Sequence, residues 1–235
     1  MKKIILLIAC LLLTHVANAQ ANFGARMGVN MGTFEFSNDK LTGGYDVNRS
    51  LNVMINLDID VPFSTVFSFR TGLGFVVKGS EFDSLQTMQQ QQQFTDSIFS
   101  SVFSLNYLEV PLFLVARAET DFFGSFFFGV GPTLSLGVGG RMDVFSEDRV
   151  TGGQGPQPRY NINWGNNPAP EGDFNPYSRL RRFDFGVGAI FSYQLPRRGL
   201  TFTVSYNRGL RNLSPNEGMN LNTNYLGFSI GFRMG

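Results

Sequence analysis

The feature that most constrains this chain is a rhythm of period two. Eight stretches alternate apolar and polar residues, and the connections between them are alternately short and long. Such alternation places successive side chains on opposite faces of an extended strand, so each stretch has an apolar and a polar face. In the first, Phe23, Ala25, Met27, Val29 and Met31 oppose Asn22, Gly24, Arg26, Gly28, Asn30 and Gly32. In the second, Leu51, Val53, Ile55, Leu57 and Ile59 oppose Ser50, Asn52, Asn56, Asp58 and Asp60, with Met54 out of phase. The third sets Phe67, Phe69, Thr71, Leu73, Phe75 and Val77 against Ser68, Arg70, Gly72, Gly74 and Lys78. The fourth, over 103–118, separates Tyr107, Glu109 and Arg117 from Leu108, Val110, Leu112, Leu114 and Ala116. Phe113 and Val115 blur its phase, and Pro111 suggests a bulge.

The second half repeats the pattern. Phe126, Phe128, Val130, Pro132, Leu134, Leu136 and Val138 oppose a face of Gly, Ser and Thr. Phe183, Phe185, Val187, Ala189, Phe191 and Tyr193 oppose Arg182, Asp184, Gly186, Gly188 and Ser192. Leu200, Phe202, Val204 and Tyr206 oppose Thr201, Thr203, Ser205 and Asn207, and Leu226, Phe228, Ile230, Phe232 and Met234 oppose Tyr225, Gly227, Ser229, Gly231 and Arg233.

Alternation alone fits a soluble sandwich or a lipocalin-like barrel, with the apolar face as core. The composition of the polar faces chooses between architectures. They are dominated by glycine and small hydroxyls, whereas a soluble surface is about 25–35% charged. Small inward residues suit the crowded interior of an eight-stranded membrane barrel, whose apolar face meets lipid. The expected fold is therefore all-β: an eight-stranded antiparallel up-and-down transmembrane β-barrel. The short connections at 61–65, 119–124 and 194–199 read as periplasmic turns. Those at 33–47, 79–101, 140–180 and 210–221 read as long extracellular loops, which puts both termini in the periplasm.

The first residues set the compartment. Lys2 and Lys3 precede an apolar run from Ile4 to Leu13, and Ala17-Asn18-Ala19 has the small-x-small form of a cleavage site. Residues 1–19 are thus expected to be a cleaved signal peptide and 20–235 the barrel domain. A lipobox at Leu7-Ile8-Ala9-Cys10 is the alternative, but it would leave too short an apolar region before the cysteine. Cleavage removes the only histidine, His15, and the only cysteine, Cys10. The mature chain then offers no Ser-His-Asp triad, no Cys-His pair and no zinc site of the usual ligands. No catalytic residue, metal ligand or cofactor motif is expected. Losing two lysines takes the formal charge from +1 to about −1, so no basic balance points to nucleic acid.

Several short motifs carry a resemblance. Gly28-Val29-Asn30, Asn106-Tyr107-Leu108-Glu109-Val110-Pro111-Leu112, Gly129-Val130-Gly131-Pro132, Phe183-Asp184-Phe185-Gly186-Val187-Gly188 and Tyr206-Asn207-Arg208-Gly209-Leu210 resemble the PorT-like outer-membrane β-barrel family. The resemblance implies a non-enzymatic outer-membrane barrel, a structural or interaction component of the envelope and an accessory of type IX secretion. A small channel, or a barrel binding ligands through its loops, is the alternative.

Two groups of residues are candidate sites. Inward charges Arg26, Asp58, Arg70, Glu109, Arg117, Asp184 and Arg233 come from different strands and can meet in the lumen. Unpaired charges in a narrow interior are costly, so pairing that plugs the barrel is the plain reading. A gated pore or proton path through Glu109 and Arg117 is the sharper one. The longest loop holds the only tryptophan, Trp164, with Tyr160, Phe174 and Tyr177. These aromatics either bind a partner or pack the loop over the barrel mouth. Arg179, Arg181 and Arg182, at the outer end of the sixth stretch, suit contact with lipopolysaccharide phosphates or form a solvated rim. Outer-membrane lipid, lipopolysaccharide and envelope or secretion proteins are the expected partners.

Overall fold

A computed structural model describes residues 21–38, 45–88, 95–120, 122–148, 159–168, 179–196 and 199–234. The strands are β1 (Asn22–Asn38), β2 (Tyr45–Pro62), β3 (Phe67–Met88), β4 (Thr95–Pro111), β5 (Phe113–Thr120) and β6 (Gly124–Asp148). They continue as β7 (Arg159–Asn161), β8 (Asn163–Trp164), β9 (Arg179–Leu180), β10 (Phe183–Gln194), β11 (Leu200–Gly209) and β12 (Met219–Met234). Neighbours pair antiparallel in sequence order, and β12 pairs back onto β1 over Phe23↔Met234 to Asn38↔Met219. The sheet is closed, and closure removes the unpaired edges that an open sheet would present.

β4 and β5 are two halves of one wall strand. Against β3 the pairing runs from Gly74↔Glu109 to Arg70↔Phe113, and against β6 from Pro111↔Thr133 to Leu114↔Val130, with no residue gained or lost. The bulge expected at Pro111 is therefore corrected. The extra residue lies in β6 at Val138, where Asn106 faces Gly139 and Tyr107 faces Gly137. The wall count is thus eight, and the chain forms an all-β, eight-stranded up-and-down barrel.

The faces follow the alternation. Leu51, Leu57, Leu73, Phe128, Phe183 and Phe232 are among the outward side chains left exposed, while Asn30, Asp60, Arg70, Glu109, Asp184 and Asn207 are buried inside. A broad exposed apolar belt is what a bilayer requires of a barrel exterior. The fourth stretch takes the expected phase, with Tyr107 and Glu109 buried and Leu114 exposed. Met54 joins Val76 and Tyr225 inside, and Phe113, Val115, Phe127 and Ile190 form a second inward apolar cluster. Small residues alone would leave the lumen underpacked, and these larger ones fill it.

The short connections join Pro62 to Phe67, Thr120 to Gly124 and Gln194 to Leu200. Gly124 opens β6 at φ +89°, a backbone that side chains on Cβ disfavour. The opposite end differs from its sequence reading. Much of the segments expected as loops is strand: β1 and β2 run to Asn38 and from Tyr45, and β3 and β4 run to Met88 and from Thr95. Outside a bilayer both faces of a strand can be polar, so the period-two signal fades although the hairpins continue.

Candidate functional site

The lumen holds two ion-paired clusters. Toward the short-turn end, Arg26 on β1 forms a two-bond pair with Asp58 on β2, with Nη2 donating to Oδ1 at 2.9 Å. Asp60 accepts from Arg70 Nε at 2.8 Å and lies 3.3 Å from Arg233 Nη2. The Arg233 guanidinium sits 4.3 Å from the centre of the Phe127 ring, with those of Arg70 and Arg117 at 5.7 and 5.8 Å. Rings flanked by guanidinium groups contribute cation–π attraction inside a wall that excludes lipid.

Nearer the middle, Lys78 is the hub. Only 1% exposed, its Nζ lies 3.3 Å from both Glu109 Oε2 and Asp184 Oδ2 and 3.2 Å from Ser135 Oγ. Ser135 donates to Glu109 Oε2 at 3.0 Å, Tyr225 to Glu109 Oε1 at 2.6 Å and Thr223 to Asp184 Oδ2 at 2.9 Å. The ammonium also lies 4.8 Å from the Tyr107 ring centre. Five strands, β3, β4, β6, β10 and β12, meet at this one cation through these contacts. Among the described residues, the lumen ion pairs use Arg26, Arg70, Lys78 and Arg233 against Asp58, Asp60, Glu109 and Asp184, so formal charges cancel.

The geometry thus gathers six of the seven charges singled out from sequence, in two groups. Arg117 stands outside both sets of ion pairs, although its guanidinium shares the Phe127 ring with those of Arg70 and Arg233. It pairs with Glu119 beside a short turn, with its side chain 36% exposed. Glu109 is bonded to Lys78, Ser135 and Tyr225, and Arg117 shares none of these contacts. Lys78 and Asp60 stood on the inward faces of the sequence pattern but were missed as members of the network. The signal was their phase: each is a charge on the same face as the chosen ones.

Above the ion pairs, the loop end is filled by apolar residues. Phe34, Phe103, Leu105, Tyr107, Met142 and Leu221 from the wall meet Ile162, Leu180 and Leu213 from the connections. Trp164 packs into this plug, edge-on to Tyr107 at 5.6 Å between ring centres and over the backbone of Gly137. Two short parallel strands hold it there, β8 and β9, with Gly165 N–H donating to Leu180 O at 2.9 Å. Tyr160 points outward on β7, 41% exposed. Phe174 and Tyr177 lie outside the described residues. Arg181 Nη1 donates to Asn212 O at 2.9 Å, and Arg182 is exposed.

Two small cavities inside the lumen, each of about 20 Å³, are lined by described residues. Arg26 lines both, the first with Asp60 and Arg233 and the second with Glu109 and Tyr225. Each has room for about one water.

No curated protein matches the chain. Among solved structures, it is similar to the attachment invasion locus protein Ail of Yersinia pestis, at 12% identity and a TM-score of 0.37, over 90% of this chain and 99% of that one. It is similar to OprG of Pseudomonas aeruginosa at 8% identity and a TM-score of 0.42, over 92% and 97%. The outer membrane protease OmpT of Escherichia coli aligns at 9% identity and a TM-score of 0.35, over 91% and 96%. Likenesses this distant carry no statement about activity. The profile of the outer membrane protein beta-barrel domain matches residues 17–214, most of the chain. The protein is an outer-membrane β-barrel and belongs to the outer membrane protein beta-barrel domain family.

Proposed function

We propose that this barrel is a non-enzymatic structural or interaction component of the cell envelope. The observation that carries the reading is the filled lumen: a charge-balanced ion-pair network under an apolar plug that includes Trp164. A channel needs a continuous wet path, and the two interior spaces described, of about 20 Å³ each, hold about one water apiece. With the interior occupied by its own side chains, recognition falls to the loop end and the outer wall. In this reading residues 1–19 are a cleaved signal, both termini are periplasmic and the loop end faces outward. The PorT-like motifs direct the search for partners to type IX secretion, with the barrel as an accessory.

The test is an affinity pull-down from native outer membrane in mild detergent, comparing the full chain with one in which 166–178 is replaced by a short Gly-Ser linker. Stoichiometric envelope or secretion proteins recovered by the full chain and lost with the linker support the interaction reading. Recovery of the barrel alone from both versions contradicts it.

A further inference from the structure

The barrel wall departs from regular pairing at two places among the described ladders, and both border one groove. Between Arg49↔Ser80 and Met54↔Val76 the β2–β3 ladder is broken, with four residues of β2 facing three of β3. β2 arches outward there, leaving Leu51 70% exposed. β1 closes the wall beneath: Asn30 Nδ2 donates to Val77 O at 3.0 Å, and a Cβ on Gly32 would lie 2.5 Å from Gly79 O. The second irregularity is the Val138 bulge opposite Asn106 and Tyr107. Bulges bend a strand, re-aim its side chains and are over-represented beside functional sites.

Between the arch and the bulge lies an open groove of about 520 Å³ on the outer wall, a size within the range of small-molecule sites. Leu51 and Val77 line its lower part, at the upper edge of the apolar belt. Ser104, Asn106, Arg141 and Asn161 line the rest. Arg141 and Arg159 share a single carboxylate, Asp143, at 3.4 and 2.6 Å, so these three side chains together carry one positive charge. An apolar floor at the lipid boundary, hydroxyl and amide walls and an unbalanced guanidinium describe a receptor for an acidic amphiphile.

We propose that this groove binds the phosphorylated sugar headgroup of an outer-leaflet glycolipid, with Arg141 on the phosphate, Ser104, Asn106 and Asn161 on sugar hydroxyls and the acyl chains along Leu51 and Val77. The proposal rests on the outward orientation of the loop end. It makes the barrel a carrier of one specific lipid at a fixed place on its perimeter.

The experiment is native mass spectrometry of the detergent-purified barrel titrated with lipid A, dephosphorylated lipid A and phosphatidylglycerol. The expected result is a one-to-one complex with lipid A, weakened about tenfold in Arg141→Glu, the weight of one charge-assisted hydrogen bond. Arg208→Glu, on β11 with its side chain 52% exposed against 55% for Arg141, is the control and leaves binding unchanged. Equal losses in both variants, no loss in either, or equal binding of phosphatidylglycerol or the dephosphorylated lipid overturns the groove. A Glu217→Cys thiol, exposed in the β11–β12 connection and outside the groove, labelled on intact cells by an impermeant maleimide reads the orientation separately. Labelling without lipid A selectivity overturns the groove alone, whereas absence of labelling overturns the orientation and the groove with it.

Discussion

Lys78→Met removes the hub of the central cluster at nearly constant volume, because methionine retraces the aliphatic stem of lysine. Glu109 and Asp184, both buried, then lose the cation that lies 3.3 Å from each. What remains to them are hydroxyl donors: Tyr225 and Ser135 on Glu109, and Thr223 on Asp184. Breaking a buried pair from one side leaves an uncompensated charge at a cost of about 3–5 kcal/mol. With a urea slope of about 2 kcal/mol per M, the unfolding midpoint falls by about 2 M. The assay is reversible urea unfolding in lipid vesicles, followed by the fluorescence of Trp164, the only tryptophan. Lys78→Met/Asp184→Asn should recover most of the loss, since it returns the cluster to its native net charge and leaves Thr223 an acceptor. Asp184→Asn alone should cost less than Lys78→Met. A Lys78→Met unfolding free energy within about 0.5 kcal/mol of the parent, or a double variant no more stable than the single, refutes the reasoning.

Tyr225→Phe removes the 2.6 Å bond to Glu109 and should cost about 1.5–3 kcal/mol in the same assay, as loss of a hydrogen bond to a charged group does. Gly32→Ala would place a methyl 2.5 Å from the Gly79 carbonyl and should destabilise by about 1–3 kcal/mol. Gly139→Ala, whose new carbon first meets the side chain of Asn106 at 3.4 Å, should fold as the parent does. Ile230→Arg puts a charge on the lipid-facing side of β12 and should cost about 2–4 kcal/mol of vesicle-folding free energy.

The wall was legible because lipid and lumen make opposite demands on neighbouring residues. Leu226 through Met234 states that opposition without exception and Leu51 through Ile59 with Met54 alone out of phase, and the short turns fall where the alternation stops. The interior was legible only in part. A lumen has a volume to fill, so Met54, Val76, Phe113, Val115, Phe127 and Ile190 stand inside despite being apolar. Phase also placed Lys78 and Asp60 inward, but which charges meet depends on the stagger between strands, and register is a property of pairs. Pro111 looked like the natural bulge. The extra residue instead fell at Val138, between glycines that let the wall bend. Trp164 read first as a lid and second as an anchor, because a loop's direction is set by what it packs against. Its place over Gly137 and beside Tyr107 could be seen only once both were in the barrel.

The most direct test of a sealed barrel is single-channel recording of the purified full-length protein in planar bilayers, with its insertion verified independently. A lumen blocked by the Lys78 cluster and the apolar plug predicts no unitary conductance steps above the bare membrane at any holding potential. Stable, reproducible steps from the folded protein would contradict it and return the weight to the channel reading.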